Sequence, residues 1–129
     1  MRRKEATLPL ISALMLLTGC STFSDYSYCD YQRGKADAKK DIQAEILAVE
    51  TYGFRMNGDG GESQLLRNHY NIDTRIVAGC VVNKKIIGHA KGYNEVSRAE
   101  IERRFGKDIW GKIREEMLLR REKSQVNQS

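Results

Sequence analysis

Proline is almost absent from this chain: one in 129 residues, at Pro9. With only eleven glycines and no repeat, that excludes a collagen or a proline-rich linker protein. Nor is there an apolar run near the length of about 20 residues that a membrane-crossing helix needs. The segment Leu8 to Leu17 (LPLISALMLL) has ten residues and is broken by Pro9 and Ser12. Histidine occurs twice, at His69 and His89, twenty positions apart and with no third ligand in register, so no zinc site is expected. Cysteine occurs three times, an odd number that leaves at least one thiol outside any intrachain pair. What is plentiful is charge. Charged residues make up 30% and hydrophobic residues 40%, which excludes a polytopic membrane protein and a typical disordered chain. The length allows one domain, and 22 Lys+Arg against 17 Asp+Glu give a net charge of +5.

The first twenty residues read as an address. Arg2, Arg3 and Lys4 make a positive start, and the short apolar run follows directly. A stretch of about 7–15 apolar residues behind a basic start is the pattern of a secretory signal. The run ends in Leu17-Thr18-Gly19-Cys20. Here the sequence resembles a bacterial lipoprotein, whose lipobox has a leucine, two small residues and the cysteine that is acylated. The resemblance covers positions 1–20 and implies removal of 1–19, with diacylglycerol on the Cys20 thiol. Cysteine suits that step because its thiolate is the nucleophile. Acyl chains then hold the protein to a lipid bilayer, at roughly 0.8 kcal/mol per buried methylene. Ser21 stands where an aspartate resembles an inner-membrane retention signal, so the analogy favours the outer membrane, periplasmic side. Removing the leader, with its three basic residues and Glu5, lowers the net charge to +3.

With Cys20 acylated, Cys29 and Cys80 remain. In an oxidising compartment the expectation is a Cys29–Cys80 disulfide; the alternatives are two buried thiols or bonds to another chain. Such a bridge would contribute on the order of 4 kcal/mol in the chain-entropy account, which matters for a small core.

Residues 20–29 read as a lipidated tether and 30–123 as a small domain, with 124–129 a frayed tail. Phe23, Tyr26, Tyr28 and Tyr31 suit either the lipid interface or packing on the domain. Asp30 to Tyr52 is expected to be a helix, capped by Asp30 and stopped by Gly53, with Ala38, Ile42, Ile46 and Val49 as its apolar stripe. Residues 53–61 hold four glycines and form a loop. Glu62 to Asn71 reads as a short helix, and Ile72 to Val82 as a strand, rich in Ile and Val, whose partner is unidentified. Asn83 caps a long helix, Lys84 to Phe105, stopped by Gly106. Gly88 and Gly92 lie four apart on one face; each costs up to about 1 kcal/mol relative to Ala, which implies close approach of another backbone such as the first helix. Asp108 starts a last helix, Ile109 to about Lys123, on the stripe Ile109, Trp110, Ile113 and Met117. The fold class is mostly α, with α+β as the alternative: three to four helices, one short β element, a single domain and one disulfide.

Chemistry-bearing patterns are sparse. Asn57 to Glu62 is faintly like a calcium loop, but the sixth and twelfth positions carry Glu62 and Asn68 instead of Gly and Glu, so no metal or other cofactor is expected. Glu95, Glu100 and Glu102 invite an acid–base reading. The i,i+4 pairs Glu100–Arg104 and Arg98–Glu102 make a salt-bridged helix face the better account. Arg103, Arg104, Lys107, Lys112, Arg114, Arg120, Arg121 and Lys123 form a candidate basic contact surface, widened on its apolar side by Met117, Leu118 and Leu119. For an exported protein its partner is an anionic lipid, an envelope polymer or a protein, and not nucleic acid. The leading functional expectation is a non-enzymatic envelope accessory that binds near the bilayer. The alternatives are a small envelope hydrolase using a carboxylate or His, and an inhibitor of an exported enzyme.

Overall fold

The computed structural model describes residues 25–53 and 60–126. The leader, Cys20, Phe23, residues 54–59 with the first half of the calcium-like segment, and the end of the tail, 127–129, lie outside them; the second half of that segment, Gly60 to Glu62, opens α2. The order is α1 (Tyr28–Gln43), β1 (Leu47–Tyr52), α2 (Gly60–Tyr70), β2 (Ile72–Ala78), α3 (Lys84–Phe105) and α4 (Ile109–Val126). The protein is mostly helical, with one two-stranded sheet, and forms a single small domain.

The first helix begins two residues earlier and ends nine earlier than the sequence suggests. Ser27, not Asp30, is its N-cap, and its hydroxyl bonds the Asp30 carboxylate at 2.6 Å. At the other end the Ile46 N–H donates to the Asp41 carbonyl at 2.8 Å and the Glu45 N–H to that of Ile42 at 3.1 Å. This is a Schellman stop, with Glu45 in the left-handed position at φ 60°. Glycine usually takes that place, so Ala44-Glu45 carries no visible stop signal. Leu47 to Tyr52, read as helix, is instead the missing strand. Ile46, expected on the buried stripe, is exposed, whereas Val49 is buried from a strand.

β1 and β2 run parallel, with Leu47 beside Ile72 and Thr51 beside Ile76, and α2 is the crossover. Asn71, at φ 54°, turns α2 into β2. One face of the sheet, through Leu47, Val49 and Ile72, packs with Leu65 and Leu66 of α2, Ile101 of α3, and Ile109 and Ile113 of α4. The five most enclosed of these (Leu65, Leu66, Ile72, Ile101, Ile109) are at most 1% exposed, each worth about 1.5–3 kcal/mol of burial. Ala48, on the other face, packs with Ala38 and Tyr93. α3 follows the sequence reading: Asn83 Oδ1 accepts from the N–H groups of Lys85 and Ile86 at 3.0 Å, and Gly106 ends the helix at φ 97°. α4 continues through Ser124 to Val126, past the expected start of the tail.

The glycine face of α3 is met by the first helix. A methyl on Gly92 would strike the Tyr31 carbonyl, one on Gly88 the Ser27 carbonyl, and one on Gly34 the His89 carbonyl. Three glycines therefore bring two parallel helices to backbone contact. The Ser27 N–H also donates to the Lys84 carbonyl at 2.9 Å, fixing both helix starts at the pole where the strands end.

Two side chains of α3 close the outer edge of β1. Asn94 Oδ1 accepts from the Glu50 N–H at 2.7 Å while its Nδ2 donates to the Glu50 carbonyl at 2.6 Å, as a neighbouring strand would. Ser97 donates to the Ala48 carbonyl. Asn94→Leu removes both partners of a backbone unit at once. It is expected to cost about 2–3 kcal/mol, read as a lower urea midpoint with an unchanged slope.

The Cys29–Cys80 bridge is not formed. Cys80 is a free, exposed thiol in the bend after β2. Counting cysteines gave the pairing but not the direction of the thiols, and the link between the two segments falls to the Ser27–Lys84 hydrogen bond. Among the described residues no helix is long and apolar enough to cross a membrane.

Candidate functional site

Two assemblies of polar side chains stand out: a charged cluster between α1, the sheet and α3, and an arginine-lined groove along α4.

The cluster is centred on His89. Its Nδ1 lies 2.8 Å from a Glu50 carboxylate oxygen on β1, and its Nε2 lies 3.1 Å from Asp37 on α1. Both partners are acceptors, so the imidazolium, with two N–H donors, satisfies the geometry. Burial pushes the His89 pKa down, but the hydrogen bonds and charges of Asp37 and Glu50 outweigh it and hold it above the ordinary value. Glu50 is buried. One helical turn on, the Tyr93 hydroxyl donates to Asp41 at 2.6 Å, and Arg75 of β2 reaches the same Asp41 oxygen at 2.6 Å. Burial, then the bond to Asp41, pushes the Tyr93 pKa far up. Burial raises Asp41, but Tyr93 and Arg75 bring it below the usual carboxylate range. Every acid here is held by a donor, which makes the cluster a clasp joining four elements. Among the described residues no group of His, Cys, Asp and Glu is arranged to hold a metal ion.

The other candidate carboxylates are similarly engaged. Glu95 accepts from Tyr31 and from Lys35 at 2.9 Å. Glu100 bonds Arg103 and Arg104 at 2.7 Å, which hold its pKa down at about 2. The expected Glu100–Arg104 pair is present. The expected Arg98–Glu102 pair is not: Glu102 accepts from the Trp110 indole N–H at 2.8 Å, and the Arg98 guanidinium lies over the Trp110 ring, 4.2 Å from its centre. His69 is exposed on α2, 4.0 Å from Glu116. Tyr26 and Tyr31 pack on the domain, their rings 5.6 Å apart with Lys91 over Tyr26, while Tyr28 is exposed.

The eight basic residues differ in their partners. Arg103 and Arg104 are tied to Glu100, Lys112 to Asp108 and Arg120 to Glu116. Arg114 and Arg121, seven apart on α4, instead line a groove of about 330 Å³ with Arg98 of α3 and Glu62 of α2. Its floor is Trp110, Ile113, Met117 and Leu118. Beyond Met117 and Arg121 a second hollow continues to Ser124 and to Gly61 at the start of α2. Arg98 comes from a different helix, so periodicity within α4 could not include it. No local signal marks it, because the Trp110 indole that takes Glu102 from it comes from α4.

Compared with known families, curated proteins and solved structures, the chain matches none.

Proposed function

We propose that the chain is a bacterial lipoprotein, acylated at Cys20 and held on the periplasmic side of a membrane, the outer one by the analogy of Ser21. There it acts as a non-enzymatic binding module close to the bilayer. The observation that carries this reading is the ordered sequence of basic start, ten-residue apolar run and Leu17-Thr18-Gly19-Cys20. The position of the domain supports it. The first helix begins at Tyr28, eight steps from Cys20, and eight steps span about 29 Å at most. The α1 end of the domain is therefore within reach of a bilayer holding Cys20.

Cys20→Ser should move the protein from the membrane fraction to the soluble periplasmic fraction and abolish labelling by palmitate. A variant that stays fully membrane-bound would refute acyl attachment.

A further inference from the structure

We propose that the groove between α2, α3 and α4 binds the phosphate headgroup of an anionic phospholipid, taken from the bilayer to which the chain is tethered; this rests on the attachment reading above.

The arginines sort themselves. Among those with described side chains, Arg33, Arg67, Arg75, Arg103, Arg104 and Arg120 each lie against a carboxylate. Arg98, Arg114 and Arg121 have no ion pair among the described residues, and these three share the groove, where Glu62 is the one acid. Three guanidinium charges against one carboxylate leave the groove with a positive excess, which is unfavourable, and an anion between them relieves it. Guanidinium groups match phosphate oxygens with paired N–H donors.

The floor narrows the choice of anion. Trp110, Ile113 and Met117 are partly or fully buried beneath the arginines, and Leu118 is 54% exposed beside them. A purely polar anion would leave this apolar strip wet. A phospholipid supplies both halves: phosphate for the guanidiniums, glycerol and upper acyl carbons for the floor. Position provides the route. The hollow continues along α4 to Ser124 and Gly61. Glu62 also faces Tyr52, at the strand ends. That is the pole where α1 starts, and α1 is the element that follows Cys20 in the chain.

Trp110 is the one tryptophan of the chain, so its emission reports on the groove alone. The acylated full chain is placed with vesicles of phosphatidylcholine, of phosphatidylcholine with phosphatidylglycerol, or of phosphatidylcholine with free inorganic phosphate. Phosphatidylglycerol should shift Trp110 emission to shorter wavelength and protect it from acrylamide. Arg114→Glu with Arg121→Glu, both exposed positions, should raise the half-saturating phosphatidylglycerol content about tenfold or more. Arg103→Glu, outside the groove, should not. Equal shifts with free phosphate would overturn the lipid assignment, and no shift in any arm would overturn the site. Flotation with pure phosphatidylcholine vesicles reads acyl attachment separately, so a failure there leaves the groove arm readable.

Discussion

Gly92→Ala should unfold the protein or bring it to the edge of unfolding. Taken alone, the change favours a helix by about 1 kcal/mol. In the fold, the new methyl has to share space with the Tyr31 carbonyl, which belongs to the backbone of α1. A backbone cannot rotate aside as a side chain can. The helices must separate, and with them the ties from Tyr31 and Lys35 to Glu95 and from Asp37 to His89. Overpacking typically costs 1–3 kcal/mol and occasionally more. With a carbonyl as the obstacle and several ties lost together, we expect at least about 3 kcal/mol. Gly111→Ala is the matched control, since nothing lies near the position of its methyl. There the helix propensity should act unopposed and stability should rise slightly. Circular dichroism melts of the two variants give opposite signs if the helix contact is as described, and a harmless Gly92→Ala would contradict it.

Replacing His89 by Leu is the second large effect. It leaves the Glu50 carboxylate, its side chain 5% exposed, without its imidazolium partner. Breaking a buried pair costs 3–5 kcal/mol; His89 is 26% exposed, which tempers this to about 3 kcal/mol. The same pair makes stability depend on pH. The folded pKa of His89 lies above its ordinary 6.5. Its contribution is therefore complete below that value and is lost as pH rises through the folded pKa. Asp37, held low chiefly by its bond to His89, works in the other direction. Its contribution is present above 3.8 and is lost as pH falls through its folded value, and Asp41 behaves likewise. Stability should therefore peak between about pH 4 and 6.5 and decline toward pH 8. Urea denaturation across that range tests it. In His89→Leu the decline on the alkaline side should flatten; an equally steep decline would place its origin elsewhere.

Where sequence and structure agree, the signal was local. Asn83 and Gly106 mark α3 because an Asn cap and a Gly stop act within one turn of the helix. Gly88 and Gly92 announced a close neighbour because a glycine pair in a soluble helix needs a compensating contact. The errors also share a cause. The Leu47–Tyr52 strand continues the apolar spacing of α1 and becomes a strand only by pairing with β2. Its boundary is a left-handed glutamate where a glycine was sought. Cys29 and Cys80 form a pair on paper, yet the thiol of Cys80 is exposed.

The candidate sites divide in the same way. Arg114 and Arg121 are visible together, seven apart on one helix, but Arg103, Arg104, Lys112 and Arg120 are tied to nearby acids. Arg98 joins them from α3. The clasp was not visible, because Asp37, Glu50, Arg75 and His89 are far apart in the chain and belong to four elements.

By itself the sequence determined the charge, the long third helix and its glycine face, since each depends on composition or on neighbours within a few turns. The tertiary structure alone decided which strand pairs with β2, that Glu50 meets His89, and which three arginines share a groove with no ion pair among the described residues. Those outcomes depend on contacts across tens of residues, where geometry after packing, and not local preference, selects the partner.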